Sequence, residues 1–137
     1  MSDEGIQALN AKGELNVSTY PEGFLGLTQQ VSSRLAELRG NTPEVMKSFG
    51  ALGRTALAEG ALDSKTKELI ALALGVASHC DPCIGFHAQA LAKLGATRQE
   101  IDETLGVAVY MGGGPSLMYA ASAVAAFDEF SATAAAP

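Results

Sequence analysis

Both cysteines and both histidines of the chain fall within nine residues, His79-Cys80-Asp81-Pro82-Cys83-Ile84-Gly85-Phe86-His87. Two thiols at C-x-x-C spacing can close a disulfide across one helical turn, and the charge or helix end beside each sets how readily it ionises. With Asp81 as the capping residue and Pro82 at the first helical position, Cys83 falls in the first turn of a helix. Free N–H groups and the positive end of the dipole favour a thiolate there. His87 lies four residues on, so its ring projects from the same face and can reach the Cys83 sulfur directly or through one water. Cys80 sits just outside the helix, placed to attack an oxidised Cys83. One short segment thus offers a nucleophile, a base and a resolving thiol.

The same residues admit other chemistry. His79, Cys80, Cys83 and His87 form a Cys₂His₂ inventory that zinc could use. However, adjacent His79 and Cys80 are awkward as two vertices of a tetrahedron, and zinc sites usually draw ligands from two separate knuckles. His79 reads instead as a cap on the C-terminus of the preceding helix, where a positive ring is welcome. The cysteines could also be small buried hydrophobes in a non-catalytic helical oligomer.

A set of helices must position this segment. Apolar residues at Leu27, Val31, Leu35 and Leu38 fall on one face of a helix over 24–38, and Gly40 supplies a stop. Asn41-Thr42-Pro43-Glu44 restarts a helix that runs to about Glu59 and ends at Gly60. Leu62-Asp63-Ser64 opens a third helix over 65–78. Beyond Glu68 it is apolar almost all round, which predicts a place at the centre of a bundle. The fourth helix continues to Leu94 and stops at Gly95. Thr97-Arg98-Gln99-Glu100 is a capping box that opens a fifth helix, ending near Gly112-Gly113-Gly114. Pro115-Ser116 starts a sixth, reaching about Phe130. No strand-period segment stands out, so the expected fold is an all-α bundle of about six helices. The expected domain layout is an N-terminal arm over 1–20, one helical domain over 21–130 and a frayed tail over 131–137.

Glu68 opens the apolar stretch of the third helix, where a carboxylate wants a partner. A hairpin of the third and fourth helices would bring it near His87 to orient the imidazole. The alternative is a surface carboxylate favoured by the dipole of the helix's first turn. Tyr110, Met111, Met118 and Tyr119 could line a substrate pocket or serve as plain core.

Composition narrows the function classes. Apolar residues make up 47% of the 137 residues and charged residues 18%, so some apolar surface is expected to be hidden between subunits. The net charge of −6, with no basic cluster or aromatic platform, argues against nucleic-acid binding. The start of the chain lacks a basic segment followed by an apolar run, so no signal peptide is expected, and the location is read as cytoplasmic. In that setting a C-x-x-C pair is catalytic or metal-binding rather than a structural staple. Residues 105–127 carry no charge and are long enough to span a bilayer, but Gly112-Gly113-Gly114-Pro115 would break any continuous helix there. The glycine run has no phosphate-loop context, because no strand precedes it and no Lys follows.

The segment from Glu68 to Glu103 closely resembles the alkylhydroperoxidase D-like, or carboxymuconolactone decarboxylase, family. The shared pattern is a Glu, an apolar helix, C-x-x-C, a His four after the second Cys, and a G-A-T-x-x-E-I turn, here Gly95-Ala96-Thr97-Arg98-Gln99-Glu100-Ile101. The resemblance implies an all-helical bundle assembled as trimers or hexamers. Its peroxidase members reduce organic hydroperoxides through the cysteine pair, and they carry Glu68, Cys80, Cys83 and His87 at matching places. That implies a thiol-dependent peroxidase whose catalytic residues are Cys83, Cys80, His87 and Glu68. Its substrate would be a small organic hydroperoxide. It would need no bound cofactor, and its electrons would come from an external dithiol protein, lipoyl- or thioredoxin-like. Pro82 stands where the peroxidase type often has a second His, which predicts slow turnover. A general dithiol–disulfide oxidoreductase is the alternative closest in chemistry. The decarboxylase branch usually lacks the cysteine pair, so the pair argues against lyase activity.

Overall fold

Capping side chains, prolines and glycines cut the chain into five helices among the described residues, which are 22–135 in the computed structural model. The arm expected over 1–20 and the end of the tail, 136–137, lie outside them. The helices are α1 (Gly23–Asn41), α2 (Pro43–Leu57), α3 (Ser64–Ala77), α4 (Asp81–Lys93) and α5 (Arg98–Ala135), with no strand among the described residues.

Local chemistry sets most of the boundaries. α1 continues one residue past Gly40 and turns into α2 at Thr42, whose N–H donates to the Leu38 carbonyl at 2.7 Å. Asp63 caps α3 by accepting the Thr66 N–H at 2.7 Å, and hydrogen bonding from Thr66, its side chain first and its N–H second, holds the Asp63 carboxyl below the usual carboxylate range. At the start of α5 the expected capping box is reciprocal. The Thr97 N–H donates to Glu100 Oε1 at 2.9 Å, and the Glu100 N–H donates to Thr97 Oγ1 at 3.1 Å. Glu100 also meets Lys65 Nζ at 2.8 Å, tying the starts of α3 and α5 together.

The expected fifth and sixth helices are present as two rods of α5 joined without a loop. Gly113, at φ 72° and ψ −157°, is the single non-helical residue between them, with Pro115 just beyond. Gly112 is required beside it, because a Cβ there would collide with the buried Ser116 hydroxyl. The second rod runs to Ala135, past the expected end at Phe130, through a stretch of small residues in which Ala dominates.

The core gathers Phe24 of α1, Leu72 and Val76 of α3, Ile84 and Leu91 of α4, and Ile101, Leu105, Ala123 and Phe127 of α5. Each large side chain fully buried there contributes about 1.5–3 kcal/mol. α3 is not enclosed all round as its sequence predicts. It buries Leu72, Gly75 and Val76, whereas Leu74 stays 61% exposed and Ile70 is also open. Its chain neighbours, α4 and α5 above all, cover one side only. No helix among the described residues is long and apolar enough to cross a membrane.

Candidate functional site

The site is built on the hairpin of α3 and α4. Its bend is closed by three backbone bonds. Ser78 N–H donates to Leu74 O at 2.8 Å, His79 N–H to Val76 O at 3.1 Å, and Cys80 N–H to Gly75 O at 3.0 Å. The last two make a Schellman motif, with His79 as its left-handed residue at φ 55°. Gly or Asn normally marks that position, so a histidine there does not signal the turn. Gly75 is buried at the crossing, where a Cβ would stand 3.2 Å from the Cys83 Cβ, which lets α4 begin close against α3.

Cys80 and Cys83 are joined as a disulfide, with Cα atoms 5.2 Å apart. The helix start differs by one residue from the sequence reading. Asp81 is not the cap but the first helical residue, and Pro82 is the second. Cys80 is the N-cap, its sulfur accepting the Cys83 N–H at 3.2 Å. The physical reason is the bend itself, which delivers Cys80 to the helix end with its sulfur already over the first turn. The dipole argument made for Cys83 therefore applies first to Cys80.

One turn further along α4, His87 Nδ1 lies 2.6 Å from Glu68 Oε2 on α3. Their side chains are 29% and 13% exposed, so the pair is partly withdrawn from water. Glu68 is thus not the free surface carboxylate of the alternative reading. With Nδ1–H donated to the carboxylate, the opposite nitrogen, Nε2, keeps its lone pair and can accept a proton. The hairpin pairs Glu68 with His87 and Cys80 with Cys83, and His87 lies four residues beyond Cys83 on α4.

His79 is oriented elsewhere. It stands at the C-terminal end of α3 as expected, but its ring stacks on Tyr119 of α5, with centroids 4.6 Å apart and planes 9° from parallel. The zinc inventory is not assembled, since the two sulfurs are bonded to each other, His87 is paired with Glu68 and His79 with Tyr119. Among the described residues, no three His, Cys, Asp or Glu side chains are placed to hold a metal. Of the four pocket candidates, Tyr110, Met111 and Met118 lie exposed around the break in α5, and Tyr119 alone is half-buried, as the partner of His79. Nothing in the sequence pairs these two rings, because the pairing depends on the left-handed turn at His79.

Comparison with known proteins agrees with this architecture. The sequence pattern of the carboxymuconolactone decarboxylase family matches residues 43–126. An uncharacterised protein of Cupriavidus necator is 36% identical over 113 residues, which cover 77% of this chain and 100% of that one. An uncharacterised protein of the cox locus of Paracoccus denitrificans is 35% identical over 100 residues, 73% of this chain and 90% of the other. The crystal structure of an apo carboxymuconolactone decarboxylase family protein from Legionella pneumophila matches with a TM-score of 0.78 and 59% identity. The match covers 79% of this chain and 96% of that chain.

Proposed function

Because the chain belongs to the carboxymuconolactone decarboxylase family and carries a disulfide-forming pair beside an oriented histidine, we propose that it is a thiol-dependent peroxidase acting on small organic hydroperoxides. The observation that supports this reading most is the 2.6 Å contact between Glu68 and His87, one turn from Cys83 on the same helix. A lone dithiol needs no such base.

In the cycle, His87 accepts the Cys83 proton through Nε2, and the Cys83 thiolate attacks the outer oxygen of the hydroperoxide. The O–O bond breaks, the alkoxide takes the proton from His87 and leaves as an alcohol, and Cys83 becomes a sulfenic acid. Cys80 attacks that sulfur, water departs, and the disulfide forms. An external dithiol, lipoyl- or thioredoxin-like, then returns both electrons, so no bound cofactor is required. Glu68 is a positioning residue that fixes the ring and its tautomer. A reducing compartment such as the cytoplasm would supply the dithiol. The uncovered apolar side chains of α2, α3 and α5 support assembly as a homo-oligomer.

General dithiol–disulfide exchange is the second reading, favoured by the N-capping sulfur of Cys80 and by Pro82 inside the pair. Thiol counting separates the two. Fully reduced protein given one equivalent of cumene hydroperoxide loses both thiols under the peroxidase reading. Retention of both thiols over hours, with reactivity only toward disulfides, contradicts it.

A further inference from the structure

The start of α4 treats the two sulfurs unequally. Cys80 Sγ occupies the N-cap and accepts the Cys83 N–H at 3.2 Å. That donor is backbone, so it stays in place when the S–S bond breaks, and an anion at this position meets the positive end of a 13-residue helix. We propose that an external dithiol opens the disulfide by attacking Cys83 and expelling Cys80, and that His79, stacked on Tyr119, is the positioning residue that holds Cys80 as the leaving sulfur. This rests on the thiol cycle described above and assigns its reductive half.

Thiol–disulfide exchange expels the sulfur whose thiolate is better stabilised. The incoming thiolate forms a bond to Cys83 Sγ as the Cys80–Cys83 bond breaks, and the electron pair stays on Cys80 as a thiolate under the Cys83 N–H. The second thiol of the same reductant loses its proton and attacks its own mixed-disulfide sulfur. It forms the reductant's internal disulfide and releases Cys83, which takes up a proton. Two electrons have passed to the protein. The proton Cys83 takes up is the one passed to His87 in the cycle proposed above.

His79 bears on this because Cys80 reaches the N-cap only through the bend that His79 makes. A histidine at φ 55° is an uncommon choice that the surrounding structure must hold. Two features hold it, the Schellman bonds to Val76 and Gly75 on one side and the stack on Tyr119 on the other. Tyr119 belongs to α5, so the stack clamps the bend to a third helix and fixes where the Cys80 side chain emerges.

The test uses a monothiol, which traps the first step. Oxidised full-length protein is mixed with excess glutathione, quenched with acid within seconds, blocked with N-ethylmaleimide and mapped by fragmentation mass spectrometry. The expected result is glutathione on Cys83 and maleimide on Cys80, in an excess on the order of tenfold. Tyr119→Phe keeps that ratio. Tyr119→Ala and His79→Gly, the latter suited to the left-handed backbone and lacking only the ring, bring it toward equality. Glutathione mainly on Cys80, an even split in the wild type, or a disulfide that glutathione does not open overturns the leaving-group assignment. An unchanged ratio in both ring-deleted variants overturns the role of His79. No peroxide is present, so failure of the peroxidase reading would show in peroxide assays while leaving this ratio as it stands.

Discussion

α2 and α4 are built to nearly the same plan and meet opposite fates. Each carries a proline and an acid in its first turn and a basic residue in its last. Each presents apolar side chains at the same spacing, Val45, Phe49 and Leu52 on α2, and Ile84, Ala88 and Leu91 on α4. The three on α4 are fully buried under α1, α3 and α5. Those on α2 are open, Phe49 to 70%, and α2 buries no residue among the described residues. Periodicity therefore identifies an apolar face without saying what covers it. On α4 the cover is this chain, and the helix can hold a precise site. On α2 no described residue covers the face, and a second copy is the occupant we propose.

The contrast breaks most sharply at the site face of α4. His87→Phe removes the proposed base and is expected to slow peroxide consumption by about 10²–10⁴-fold, measured as cumene hydroperoxide loss with excess dithiol. Glu68→Gln keeps a group beside Nδ1 and should cost less. A larger loss from Glu68→Gln than from His87→Phe would show that Glu68 does more than orient the ring.

On the buried face of the same helix, Leu91→Ala should cost about 2–5 kcal/mol of unfolding free energy in urea, because the cavity sits under three helices. Its counterpart on α2, Phe49→Glu, should leave the far-ultraviolet circular dichroism unchanged and act on association instead. Light scattering of the wild type should give a mass well above the 14.0 kDa chain, and Phe49→Glu should shift it toward 14.0 kDa. Each large apolar side chain covered by a partner contributes about 1.5–3 kcal/mol to such an interface. A wild-type monomer at micromolar concentration would remove the account of α2.

The smallest expected effect lies in the clasp between α3 and α5. The Lys65 ammonium, hydrogen-bonded to Glu100, holds that carboxyl below its usual value of 4.5, with the Thr97 N–H adding to it. A carboxyl lowered in the folded state stabilises above the unfolded value and loses that contribution as the pH falls through the folded one. Glu100→Gln should therefore lower Tm slightly at pH 7, with the gap to wild type closing below about pH 4.5. A gap that widens in acid would contradict the sign.

What the sequence made legible follows from where the information is local. The C-x-x-C pair, the i+4 histidine, the capping box at Thr97 and the breaks at Gly95 and Gly113 are short-range statements, and the structure has them, whereas α2 ends at Leu57, short of the expected Glu59 and Gly60. Glu68 was reachable because a carboxylate opening an apolar helix needs a partner, and a hairpin limits where that partner lies. Three features were not legible. The cap of α4 is Cys80 rather than Asp81, because a left-handed histidine bends the chain earlier than any residue in the motif signals. The stack of His79 on Tyr119 depends on that same bend. The exposure of Leu74 and Ile70 on a helix apolar all round is set by how many helices one chain can place around it, which periodicity does not encode.

The central claim is that the pair on α4 consumes hydroperoxide. The direct measurement is loss of cumene hydroperoxide with a dithiol in excess, comparing wild type with the Cys80→Ser/Cys83→Ser double variant at equal concentration. The account predicts slow but catalytic consumption by the wild type, several turnovers per chain, and background rate for the double variant. Equal rates for the two proteins would contradict it.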